Sequence, residues 1–120
     1  MYRTFVMTQV FDRKWAALGL RDDALAELQT ALQINPDEGA VVPGTHGLRK
    51  VRWAIPGKGK SGGLRIFYAD FPRYEVTFLI TLLQKNESAN LEKAERNALG
   101  LLLLSIERNL KERFRQGEFP

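Results

Sequence analysis

Hydrophobic and polar positions alternate along Tyr2 to Thr8, with Phe5 and Met7 on one side and Val6 on the other, a period of two that predicts a strand. The period then changes. Phe11, Trp15 and Leu18 stand at i, i+4 and i+7, which predicts a short helix from Phe11 to Leu18 that stops at Gly19. A second helix is expected from Arg21 to Asn35, where Ala24, Leu25, Leu28, Ala31 and Leu32 recur at helical spacing. Asp22 and Asp23 suit its positive N-terminal end, and Pro36 bars continuation. The two helices read as a packed hairpin.

Pro36 to Gly47 shows no period and reads as a loop. Beyond it Leu48 to Ile55 alternates, placing Arg49, Val51 and Trp53 on one face and Lys50 and Arg52 on the other. The glycine-rich stretch Gly57 to Gly63 reads as a hairpin connection to a strand at Leu64 to Ala69, with Leu64, Ile66 and Tyr68 opposite Arg65 and Phe67. A turn over Asp70 to Tyr74 leads to Glu75 to Leu83, expected as a central strand with Val76, Phe78, Ile80 and Leu82 on one side. A long helix closes the chain, spanning about 91–115, with Asn90 as N-cap and a stripe of Leu99, Leu102, Leu103, Ile106, Leu110 and Phe114. Leu101 and Leu104 fall beside the stripe, so they offer either extra core or a partner surface. This order predicts one α+β domain over residues 1–120, an antiparallel sheet with an N-terminal helical hairpin and a C-terminal helix.

Composition narrows the chemistry. The chain has no cysteine and a single histidine, His46, so thiol nucleophiles and cysteine or histidine metal clusters are excluded, and neither a metal nor another cofactor is expected. The N-terminus lacks the basic start and apolar run of a signal peptide, and no run approaches the roughly 18 to 20 apolar residues of a membrane span, so a cytoplasmic protein without membrane contact is expected. The formal net charge is +4, and its distribution is uneven. Six basic and no acidic residues lie between Gly39 and Ala69, leaving 12 basic and 14 acidic elsewhere. Such a concentrated positive field attracts polyanions. A solvated loop that aids solubility is the plainer alternative.

Gly57, Gly59 and Gly62 match GxGxxG, but a dinucleotide fingerprint opens a helix and these glycines precede a strand. Gly59-Lys60-Ser61 resembles the end of a phosphate-binding loop, yet Ala54 replaces its first glycine and no helix follows. What remains is a hairpin bearing Lys58 and Lys60 beside a strand bearing Lys50 and Arg52, an arrangement that reads as a phosphate clamp. Arg65, set between Leu64 and Ile66, needs an anionic partner or an open cleft. Trp53, Phe67 and Tyr68 interleave with these cations and are either base-stacking groups or core.

The runs Asn35-Pro36-Asp37-Glu38-Gly39, Pro43-Gly44-Thr45, Gly47-Leu48-Arg49-Lys50-Val51-Arg52-Trp53 and Gly57-Lys58-Gly59-Lys60-Ser61-Gly62-Gly63-Leu64-Arg65-Ile66 resemble the HigB branch of the RelE toxins, within the RelE/ParE superfamily. The resemblance runs through Gln84-Lys85-Asn86-Glu87 and implies a RelE-like, microbial-RNase-like fold. It further implies a type II toxin: a ribosome-dependent messenger RNA endonuclease silenced by a cognate antitoxin, often of helix-turn-helix type. In that family basic side chains hold the scissile phosphate while the ribose 2′-hydroxyl attacks it, without a metal. Carried over, Arg65 matches the family arginine, Lys58, Lys60 and Lys85 match basic positions, and Arg49, Lys50 and Arg52 guide RNA. Lys85 is the first choice for general base or acid if neighbouring cations depress its pKa. Leu83 and Gln84 stand where the family usually has tyrosine and alanine, and His46 stands in place of a small residue. The alternatives are a ParE-like gyrase inhibitor and a RelE-fold RNA-binding module that does not cut.

Overall fold

A computed structural model describes residues 2–55, 63–84 and 91–117. Strand β1 (Thr4–Met7) leads into helices α1 (Gln9–Ala17) and α2 (Asp22–Ile34). Strands β2 (Ala40–Val41), β3 (Arg49–Trp53), β4 (Leu64–Phe71) and β5 (Val76–Gln84) follow, and then helix α3 (Lys93–Arg115). The sheet order is β1-β5-β4-β3-β2. It is mixed where an antiparallel sheet was expected, because β1 lies parallel to β5 while the other neighbours are antiparallel.

Thr8, at the end of β1, turns the chain. Its hydroxyl accepts from the Phe11 amide at 3.0 Å, capping α1, and donates to the Ile80 carbonyl at 2.6 Å, so one side chain fixes the helix start to the sheet. Gly19 ends the hairpin's first arm at φ +72°, in the left-handed region that favours glycine. Helices α1 and α2 then cover one sheet face, with Phe11, Trp15, Leu28 and Leu32 buried against Ile66, Tyr68, Leu79 and Leu82. Phe11 and Trp15 stack at 5.6 Å.

The other face carries α3. Phe67, Ala69, Ile80 and Leu83 pack with Leu91 and Leu103, and Val76 and Tyr74 pack with Leu110. The inward stripe of α3 is rotated from the expected one. Arg96, Leu99, Gly100, Leu103, Ile106 and Leu110 face inward, whereas Leu102 is 37% and Leu101 68% exposed. Gly100 explains the rotation: a Cβ there would come within 3.3 Å of the Gly44 carbonyl oxygen and of Thr45, so the helix approaches the 44–46 loop closely along that line. The helix starts later than expected, with Glu92 at the N-cap and no side-chain cap bond, and Asn90 lies outside the described residues.

A bulge corrects the predicted faces of β5. Phe67 pairs with Thr81 and Tyr68 with Leu79, so Ile80 is the inserted residue. Before it, Val76 and Phe78 face α3; after it, Leu82 faces the helical hairpin and Leu83 faces α3. Strand β4 also runs on to Phe71, and the connection to β5 is a 3₁₀ turn over Pro72–Tyr74 that ends with Glu75 at φ +55°.

The predicted loop of residues 36–47 contains the short β2, antiparallel to β3. Buried Thr45 braces it by donating to the Val42 carbonyl at 2.6 Å and accepting from the Leu48 amide at 3.2 Å. Its other anchor is Gly39, whose amide donates to the Tyr68 hydroxyl at 2.9 Å, and that hydroxyl donates to the Pro36 carbonyl at 2.8 Å. A Cβ on Gly39 would fall 2.8 Å from the Lys50 carbonyl oxygen, a backbone atom held in the sheet. Gly39→Ala is therefore expected to cost about 1–3 kcal/mol in urea unfolding, as overpacking does. A loss below about 0.5 kcal/mol would mean that this close approach does not constrain the loop.

Candidate nucleic-acid interface

The register of β3 against β4 sorts the basic residues by face. Arg49 is opposite Tyr68, Lys50 opposite Phe67, and Arg52 opposite Arg65. Because side chains alternate, Lys50, Arg52 and Arg65 share the α3 face, while Arg49 is on the face of the helical hairpin. There Arg49 donates to the Gly39 carbonyl at 2.7 Å and pairs with Asp37 at 3.2 Å. Asp37 is 78% exposed at its side chain, so the ion pair itself is weak, and the bond to Gly39 ties the 36–39 loop to the strand. The structure thus separates Arg49 from the cations with which it was grouped.

Arg52 and Arg65 are directly opposed across two strands, a placement that brings their Cβ atoms to about 5 Å and repels like charges. Arg52 is exposed and Arg65 half-buried. Neither has an ion-pair partner among the described residues. Opposite Arg65 on its other flank is Leu83, buried at the end of β5. The sheet therefore sets two arginines side by side at one end of an apolar face, an arrangement suited to an oxyanion with several acceptor atoms. Lys58, Lys60 and Lys85 lie outside the described residues.

Of the two roles open to the aromatic side chains, base stacking or core, the structure gives them the core. Tyr68 is fully buried on the hairpin face, and that burial pushes its hydroxyl above the usual phenol range, partly offset by the Gly39 bond. Trp53 packs into the same core, and Phe67 is 1% exposed. In their place an open cavity of about 410 Å³ adjoins Lys50, lined by Ala40, Val42, Phe67, Leu91 and Arg96 among others. Arg96 was not singled out by the sequence reading. It could have been, because it occupies the inward stripe three and four residues before Leu99 and Gly100, where an arginine is out of place. Its guanidinium donates to the Leu91 carbonyl at 2.7 Å.

A larger groove of about 630 Å³ lies at the far end of β4, lined by His46, Asp70, Arg73, Glu107, Arg108 and Lys111 among others. Its charges are of both signs, and it is remote from the Arg52–Arg65 pair along the strand, so size alone does not make it the better candidate. His46 is exposed at its rim, in a left-handed backbone conformation. Among the described residues no three His, Asp or Glu side chains converge as a metal ligand set, and no helix is long and apolar enough to cross a membrane. No protein-family model matches the chain.

Proposed function

We propose that this chain is a metal-independent endoribonuclease of the RelE/HigB kind, a cytoplasmic type II toxin that cuts messenger RNA on the ribosome and is silenced by an antitoxin of helix-turn-helix type. The observation that carries this reading is the in-register Arg52–Arg65 pair, with Lys50 on the same face and no carboxylate paired to either arginine among the described residues. Such a pair costs stability unless an anion sits on it. In the proposed reaction the ribose 2′-oxygen forms a bond to phosphorus and the bond to the 5′-oxygen breaks. One proton leaves the 2′-hydroxyl and one reaches the departing 5′-oxygen. Arg65 and Arg52 meet the extra negative charge of the phosphorane, with Lys58 and Lys60 as further cations and Lys85 as the candidate for proton transfer.

A second reading, an RNA-binding module that does not cut, is favoured by Leu83. It fills with a buried aliphatic side chain the position where the resembled family usually has tyrosine. Expression in a bacterial host followed by mapping of RNA ends separates the readings. Translation arrest with 2′,3′-cyclic phosphate ends is the expected outcome. Ends bearing a 5′-phosphate would point to an activated water and overturn the mechanism. DNA-damage signalling without RNA cleavage would indicate a gyrase inhibitor, and absence of toxicity would favour the module.

A further inference from the structure

The cavity beside Lys50 has no role in the reaction just described, yet it adjoins the phosphate site. Lys50 and Phe67 are cross-strand partners on the α3 face, and Arg52 and Arg65 are the next partners on that face. Two residues along a strand is about 6.6 Å, so the cavity opens roughly one nucleotide step from the arginine pair. Its lining is largely apolar: Ala40, Val41, Val42 and Pro43 form the β2 side, and the buried core residues Phe67 and Leu91 lie beneath it. Lys50 and Arg96 supply the cations. An apolar slot with a few convergent polar groups is the usual form of a small-ligand site. At about 410 Å³ it admits a single base with its ribose.

We propose that this cavity receives one nucleobase of the bound strand, next to the phosphate held by Arg52 and Arg65, and sets the base preference of the protein. The base rests against the apolar β2 side of the cavity, at Val42 and Pro43, and Arg96 and Lys50 face its polar edge and the adjoining phosphate. Apolar burial of a π-face together with cations is how single strands are held outside a duplex. The inference rests on the RNA reading above, but it requires only binding, not cleavage. An acidic peptide is the other occupant that these cations could attract; continuity with the arginine pair and the apolar β2 side of the cavity favour a base.

The test uses the full chain and fluorescent pentaribonucleotides of A, C, G or U, together with an abasic ribose-phosphate pentamer of the same length, at one fixed salt concentration. Wild-type protein is expected to bind at least one of the four about tenfold more tightly than the abasic chain, within the range that one stacked base supplies. Ala40 is exposed and its side chain shares the face of Lys50, so Ala40→Leu projects bulk into the cavity from the surface. It is expected to bring the ratio close to one. Arg52→Ala is expected to weaken base-bearing and abasic chains by the same factor. Arg96→Gln serves as a second variant if Ala40→Leu does not fold, and should also lower the ratio. A folded Ala40→Leu protein that keeps the tenfold preference overturns the inference, as does a wild-type protein that binds abasic and base-bearing chains equally. Displacement of RNA by hexaglutamate in wild type but not in Ala40→Leu would assign the cavity to an acidic peptide and overturn it too. If base preference is found but no RNA is ever cut, the cavity stands and the nuclease reading falls. If no pentamer binds at all, both fall.

Discussion

Arg65→Ala is expected to lower RNA cleavage on stalled ribosomes by about 100- to 1000-fold, the usual cost of removing one preorganised stabiliser of a transition-state oxyanion. Its effect on stability should have the opposite sign. Arg65 directly faces Arg52 and has no ion-pair partner among the described residues, so truncation relieves a repulsion of about 0.2–1 kcal/mol while removing only a half-buried side chain. The melting temperature is therefore expected to hold or rise slightly. That combination separates a functional arginine from a structural one, since a cation placed for folding destabilises the protein when removed. Arg65→Lys should recover part of the rate, because a point charge cannot reproduce the two-pronged contact of a guanidinium. Cleavage by Arg65→Ala within tenfold of wild type would sink the assignment, and a mutant that fails to fold would show that the arginine serves the sheet.

What could be read from the residues differs between the two halves of this site. The pairing of Lys50 with Arg52 on one face of β3, and of Arg65 with Phe67 on one face of β4, was legible because β3 and the first half of β4 alternate without interruption, and period two needs no tertiary information. The direct opposition of Arg52 and Arg65 was not, because register depends on the connection between the strands and on which faces the helices cover. The Ile80 bulge was hidden for a related reason. Val76 to Leu83 is apolar almost throughout, so nothing in its pattern marks where one residue is inserted. Thr8 looked like the end of a strand; its value as a cap lies in reaching Phe11 and Ile80 at once, a contact 72 residues away in sequence. Arg96 was overlooked because helical leucines drew the stripe through Leu102, whereas the close approach at Gly100 turns the helix so that Arg96 faces the cavity and Leu101 and Leu102 face out.

The pair formed by Arg3 and Asp70 is expected to carry a large stability effect. Its two side chains are 3% and 6% exposed and meet at 2.8 Å from Nε to Oδ1 and 3.3 Å from Nη2 to Oδ2. The remaining valences are taken up locally: Thr77 donates to Asp70 Oδ1 at 2.6 Å, and Arg3 Nη1 donates to the Tyr2 carbonyl at 3.2 Å. The pair joins the residue that leads into β1, an edge strand, to β4 on the far side of β5, and so helps secure the strand that runs parallel to β5. The hydrogen bond that Arg3 donates to Asp70, and the charge of that carboxylate, hold the Arg3 guanidinium above its already high ordinary pKa against the opposing cost of burial. A raised pKa contributes stability that is fully present below the unfolded value and is lost only as strong alkali titrates the folded group, so this contribution should not vary between neutral and mildly basic pH. Asp70→Ala leaves a buried cation without its counter-charge and is expected to cost about 3–5 kcal/mol in urea unfolding. The double variant Arg3→Met with Asp70→Leu, which replaces both charges by apolar groups, should recover most of that loss. If the single variant lost less than about 1 kcal/mol, or the double variant were no more stable than the single one, the burial and hydrogen bonding seen at this pair would not govern how β1 is held.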